Sequence, residues 1–156
     1  MNLARSVIDK IDLPAAVGSG LLAGAAFYAV LLVDLKIGRN VDDRVLLGRT
    51  VVRDPDKAVA AGTALHAVNS AAFGVIYAAV EDRIPGPPWW KGTLFFNIEN
   101  VLLYPLMKFG KHHPGIRDGQ IDDYWTWPAF LQSIPRHVAF GAVLGIAYDR
   151  LSRQGR

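Results

Sequence analysis

Two stretches of this chain carry no formal charge for long enough to cross a lipid bilayer. Pro14 to Val33 runs for twenty residues and Ala58 to Val80 for twenty-three. At 1.5 Å per residue, a helix of about twenty residues matches the hydrocarbon thickness. Inside the second run Gly62, His66, Ser70 and Gly74 recur every four residues, and Tyr77 follows three later. The series is written again 71 residues on, as Ser133, His137, Gly141, Gly145 and Tyr148. Positions four apart share one face of a helix. Each segment therefore presents a stripe of small residues broken by one histidine. These features predict an all-α, integral membrane four-helix bundle forming one domain over residues 1–156, with the second and fourth helices packed along their stripes.

Of the 156 residues, 51% are hydrophobic although 20% are charged. The charges collect at the chain ends and in three connections. A net charge of +3, mostly beside apolar runs, suits anionic lipid headgroups better than nucleic acid. With no cysteine, disulfides, thiolate metal sites and cysteine nucleophiles are excluded. The expected partners are the lipid bilayer and either further copies of the chain or a larger membrane complex, with no nucleic acid.

Taken in order, residues 1 to 13 read as a short interfacial helix. A cleaved signal peptide is not expected, because the apolar run that follows is too long and Asp9 and Asp12 precede it. The first span, 14–33, holds Gly20 and Gly24, a pair that lets another helix come close. Asp34 to Lys57 is a polar connection in which VDDRVLLGRTVV can lie as an amphipathic element. The second span is 58–80. Pro85 to Pro88 then forces a tight connection, and Trp89 and Trp90 suit a membrane surface. The third apolar run, 93–109, carries Asn97, Glu99, Asn100 and Pro105, so it reads either as a span or as a buried re-entrant helix. His112, His113, Asp118, Asp122 and Asp123 follow in a polar connection, a solvated loop with the makings of a surface metal site. Trp125 and Trp127 mark another interface. The fourth span is 128–148, where Pro135 is expected to kink or restart the helix. Tyr77 and Tyr148 are expected to anchor their helices at the opposite interface.

Four spans place both termini on one side and make the second and fourth helices parallel. His66 and His137 then lie roughly 12–14 Å below one surface, and Glu99 reaches a similar depth from the other side. His66, Asn69, Ser70, Glu99, Asn100, Ser133 and His137 are thus expected to form one polar layer. Gly20, Gly24, Gly62, Gly74, Gly141 and Gly145 are the expected packing positions. The 71-residue offset also suggests two tandem helical hairpins. Lys and Arg divide almost evenly between the two sides, so orientation is not set.

His66 to Tyr77 (HAVNSAAFGVIY), Pro85, Trp90, the Tyr104-Pro105-Leu106-Met107 run and Pro135 to Tyr148 (PRHVAFGAVLGIAY) together resemble the YagU-type family of bacterial inner-membrane proteins. The resemblance covers roughly the last 90 residues by pattern. It implies a multi-pass protein of the bacterial cytoplasmic membrane and brings no activity with it.

Membrane-buried ionisable groups cost at least about 2–3 kcal/mol unless paired, so Glu99 needs His66, His137 or Arg136 beside it. The plainest reading of the layer is hydrogen-bonded glue in a structural or accessory membrane subunit. A second is a proton-coupled transporter or channel using His66, His137 and Glu99. A third is haem held by His66 and His137, with Gly74, Gly141 and Gly145 making room. A zinc or iron ion on His66, His137 and Glu99 is a remaining geometry. No hydrolase motif is present, and an enzyme is not expected.

Overall fold

The computed structural model describes residues 11–154, and among them every regular element is helical. The interfacial helix expected over 1 to 13 falls almost wholly outside that range. The elements are α1 (Leu13–Ile37), α2 (Asp43–Gly48), α3 (Pro55–Val80), α4 (Pro88–Leu103), α5 (Pro114–Arg117) and α6 (Trp127–Gln154), with 3₁₀ segments at Glu81–Arg83 and Tyr104–His112. Three of them, α1, α3 with the 3₁₀ turn after it, and α6, are long and apolar enough to cross a membrane.

Local chemistry sets the boundaries. Asp12 caps α1 by accepting from the Ala15 amide at 3.0 Å, and Asp54 caps α3 through the Asp56 amide, also at 3.0 Å. In both helices a proline stands in the first turn, where its missing N–H is no loss. The third apolar run departs from the expected 93–109. Its α-helix begins at Pro88, and its α-helical ladder ends at Leu103. Pro105 has no amide to give the Val101 carbonyl, so the chain tightens into 3₁₀ geometry from Tyr104. By contrast α6 runs unbroken through Pro135 instead of restarting there. The connection at Pro85 to Pro88 turns on Gly86, whose φ of 113° is open to glycine and strained for other residues.

α1 is central. One face packs on α3 and another on α6, while α6 also holds α4. The two stripes do not pack on each other, which corrects the sequence expectation. The α3 stripe seats on α1 and α2, and the α6 stripe seats on α4. A Cβ on Gly74 would strike the Ala16 carbonyl, and one on Gly62 would strike the Arg44 carbonyl of α2. A Cβ on Gly20 or Gly24 would meet Ser70, while Gly141 and Gly145 approach Gly92 and the Pro88 carbonyl. The two long seams echo each other. Pro88 and Gly92 stand 72 residues after Ala16 and Gly20, and Gly145 stands 71 after Gly74. α3 and α4 come together differently, through aromatic side chains. Phe73 meets Phe95 and Phe96 edge-on at centroid distances of 6.5 and 5.3 Å.

At one end, here the capped end, the first and third connections interlock. Asn40 donates from its side chain to the Gln120 carbonyl at 2.7 Å, and Arg49 pairs with Asp118 at 2.6 Å. The opposite, open end carries Tyr77 and Tyr148. Both are buried and meet edge-on at 5.9 Å. They belong to the core rather than anchoring helices at an interface.

Candidate functional site

Where α6 leaves the capped end, Arg136 is the largest fully buried side chain, 1% exposed. Its Nε donates to Asp34 at 2.7 Å, and its Nη1 donates to Asp43 and to the Val41 carbonyl, both at 2.9 Å. This three-element clasp ties α6 to the end of α1 and to α2. It also removes Arg136 as a partner for Glu99. Sequence reasoning missed the two acids, although a signal existed: a guanidinium in an apolar run demands carboxylates at its own depth. Counting four apolar runs in the sequence puts Asp34 and Asp43 at that end.

The next residue, His137, gives Nδ1–H to the Ser133 carbonyl at 2.8 Å. That bond fixes the tautomer, because a carbonyl oxygen can only accept. Nε2 is left facing the Glu99 carboxylate, 3.6 Å away. A neutral imidazole presents a lone pair there, so the contact is attractive only when one proton is held between the two groups, on Glu99 or on the imidazole. The Glu99 Oε2 has no hydrogen-bond partner. Beside this pair Asn100 donates to the Ser133 hydroxyl at 2.9 Å. That contact is satisfied glue between α4 and α6.

The rest of the expected layer separates from this group. His66 Nε2 bonds the Gly24 carbonyl at 3.2 Å, and its ring stacks on Tyr28 at 4.1 Å. The two imidazoles do not touch; both pack against Phe27, at 5.1 and 5.4 Å. Ser70 is buried against α1 with no partner for its hydroxyl. The histidines do not fit a haem held between them, since the Phe27 ring packs against both imidazoles. Nor is the His66, His137 and Glu99 triplet assembled, and no cluster of three metal-binding side chains occurs among the described residues.

The polar connection is structural. His113 Nε2–H donates to the Leu46 carbonyl at 2.8 Å, and Nδ1 accepts from the Gly115 amide at 3.2 Å. Burial then pushes the imidazole below its ordinary range. Asp118 is spent on Arg117 and Arg49, which hold it below the usual carboxylate range. Asp122 serves Asn40, and Asp123 serves the Trp125 amide. Of the group expected as a solvated loop that could also hold a surface metal, His113, Asp118 and Asp122 instead lace the cap.

Glu99 and His137 line a cleft of about 430 Å³ between α3 and α4, with Asn69, Asn100, Ser133 and Arg136 on its polar wall. Asp43, Leu46 and Leu47 of α2 roof it at the capped end. Phe73, Glu99 and Leu103 are shared with an apolar cleft of about 390 Å³ on the outer face. That second cleft runs past Ile76, Ile98 and Leu102, which are exposed. Toward the open end the way is filled. Phe96 stacks on His137 at 5.1 Å and on Phe140 at 3.7 Å, with Phe73 against its edge.

A family model matches residues 11–156, nearly the whole chain, and its description is a family of unknown function, DUF6789. The chain belongs to that family. No curated protein and no solved structure matches it. For this DUF6789 chain, the cleft and the Glu99–His137 pair carry whatever functional reading can be made.

Proposed function

We propose that this is a multi-pass membrane protein whose Glu99–His137 pair exchanges a proton at the base of a cleft open to lipid, as a proton-coupled carrier does. The supporting observation is the Glu99 Oε2, buried without a hydrogen-bond partner and 3.6 Å from the His137 ring nitrogen that no carbonyl engages. Glue is satisfied and void-free, whereas this carboxylate borders a cavity on both sides. A proton channel is disfavoured by the aromatic block of Phe96, Phe140 and Phe73. Conduction would need a continuous polar path past that block.

The proposal includes four crossings. α3 and α6 both run from the capped end to the open end, so the chain between them must return. α4 covers about 24 Å, and the following 3₁₀ segment adds about 18 Å. The resemblance to the YagU-type family supports the bacterial cytoplasmic membrane as the location. The satisfied Asn100–Ser133 bond favours, as a second reading, an accessory subunit in which the layer only fixes packing.

Infrared difference spectroscopy of the purified protein during a pH change tests the proton site. A carboxylic-acid stretch that titrates in the wild type, vanishes in Glu99→Gln and shifts in His137→Gln is the expected result. A Glu99 with no titrating signal over the pH range where the protein stays folded would leave the accessory reading standing.

A further inference from the structure

The cleft has a sign as well as a shape. Its fixed charges are Arg136 from α6, Asp43 from α2 and, through Arg136, Asp34 from α1. One guanidinium against two carboxylates leaves one negative charge. Glu99 and His137 together hold one proton and add nothing while they keep it. Facing them are Asn69 and Phe73 from α3, Ser133 from α6 and the hydroxyl-bearing Tyr104 and Tyr124 from the connection, all uncharged near neutral pH. Arg136 is the only basic side chain on the polar wall apart from His137, and both its acids are within 2.9 Å. An anionic head would meet net repulsion there, and a neutral one would leave the net negative charge of the Arg136, Asp34 and Asp43 group unbalanced.

The outer half is lined by Phe73, Phe95 and aliphatic side chains, and it opens beside Leu102, which is 70% exposed. Aromatic faces attract cations in a dry setting. An occupant that fits both halves has an apolar body and a single positive charge.

We infer that the cleft between α3 and α4 binds a lipophilic cation, drawn in laterally past Leu102, which displaces the proton shared by Glu99 and His137. This rests on the proton-exchange reading above and names its ligand. The charge balances: one cation arrives, one proton leaves to solvent, and the site keeps its net charge.

The test uses purified full-length protein in detergent, with tetraphenylphosphonium as the probe and tetraphenylborate as its anionic counterpart of the same shape. The cation is expected to bind and release one proton per site, measured in weakly buffered solution. Its affinity should fall about tenfold per pH unit once Glu99 is protonated. The borate should not compete. Glu99→Gln should abolish proton release and weaken binding at least about tenfold. Helicity and monodispersity confirm that this variant is folded. Leu102→Trp, on the exposed rim, should weaken binding while the Glu99 infrared signal stays unchanged. Equal binding of borate and phosphonium, or cation binding without proton release, overturns the inference. A titrating Glu99 in a protein that ignores phosphonium overturns the ligand class and leaves the proton site in place. Loss of both signals brings down the two readings together.

Discussion

At the scale of single residues, Arg136 and Glu99 solve the same problem in opposite ways. Arg136 is held through Nε and Nη1 by two carboxylates and a carbonyl, whereas Glu99 has one uneasy neighbour. Buried ion pairs add little net stability when intact, but breaking one leaves an uncompensated charge. Arg136→Leu strands both Asp34 and Asp43 and is expected to destabilise the protein by about 3–5 kcal/mol. Asp34→Asn and Asp43→Asn in the same chain should recover much of that loss. Thermal unfolding in detergent reads both; an Arg136→Leu protein as stable as wild type would show that the clasp is dispensable. Glu99 stood out in the sequence because an acid among apolar residues needs a reason. Its partner could be narrowed but not chosen. His66, His137 and Arg136 sat at similar depth, and only packing decided that Phe27 screens the first and two aspartates occupy the third.

Among the elements, α1 and α3 were plain in the sequence, each an uncharged run with an acidic cap and a proline in its first turn. α4 was not. Asn97, Glu99 and Asn100 dilute its hydropathy, and its ladder stops at a proline that could equally have been a kink. The stripes were legible as surfaces, but a stripe of small residues says that something comes close, not what. Here α1 and α4 came close. Overpacking such a seam moves backbone, so Gly74→Leu and Gly145→Leu should each cost at least about 1–3 kcal/mol. Ala72→Leu, on an exposed face of α3, should cost almost nothing. Melting temperatures of the three variants check this, and equal tolerance would mean that the seams are loose in the folded protein.

For the molecule as a whole, the all-helical fold and the pairing of the first with the third connection followed from counting apolar runs. The lacing between those connections did not follow, because Asn40, Arg49, His113 and Asp118 read as ordinary solvated loop residues. The absence of cysteine makes the topology simple to measure. Single replacements Thr50→Cys and Lys111→Cys should react with a membrane-impermeant thiol reagent from one side, and Asp82→Cys and Arg150→Cys from the other. All four positions are exposed. Labelling of Thr50→Cys and Lys111→Cys from opposite sides would rule out the return crossing assigned to α4.

The buried charges of this protein are also ordered in time. Asp34, Asp43 and Glu99 all leave the ribosome before Arg136 and His137, which arrive together on α6. Until then the growing chain holds three acids without the partners that the finished fold gives them. The last helix to be synthesised completes both electrostatic arrangements at once, one clasp and one proton-sharing pair. On the proposed membrane topology, a nascent chain stopped before Trp127 is expected to present quality-control proteases with a polar, unpaired surface, and the arrival of α6 to remove it.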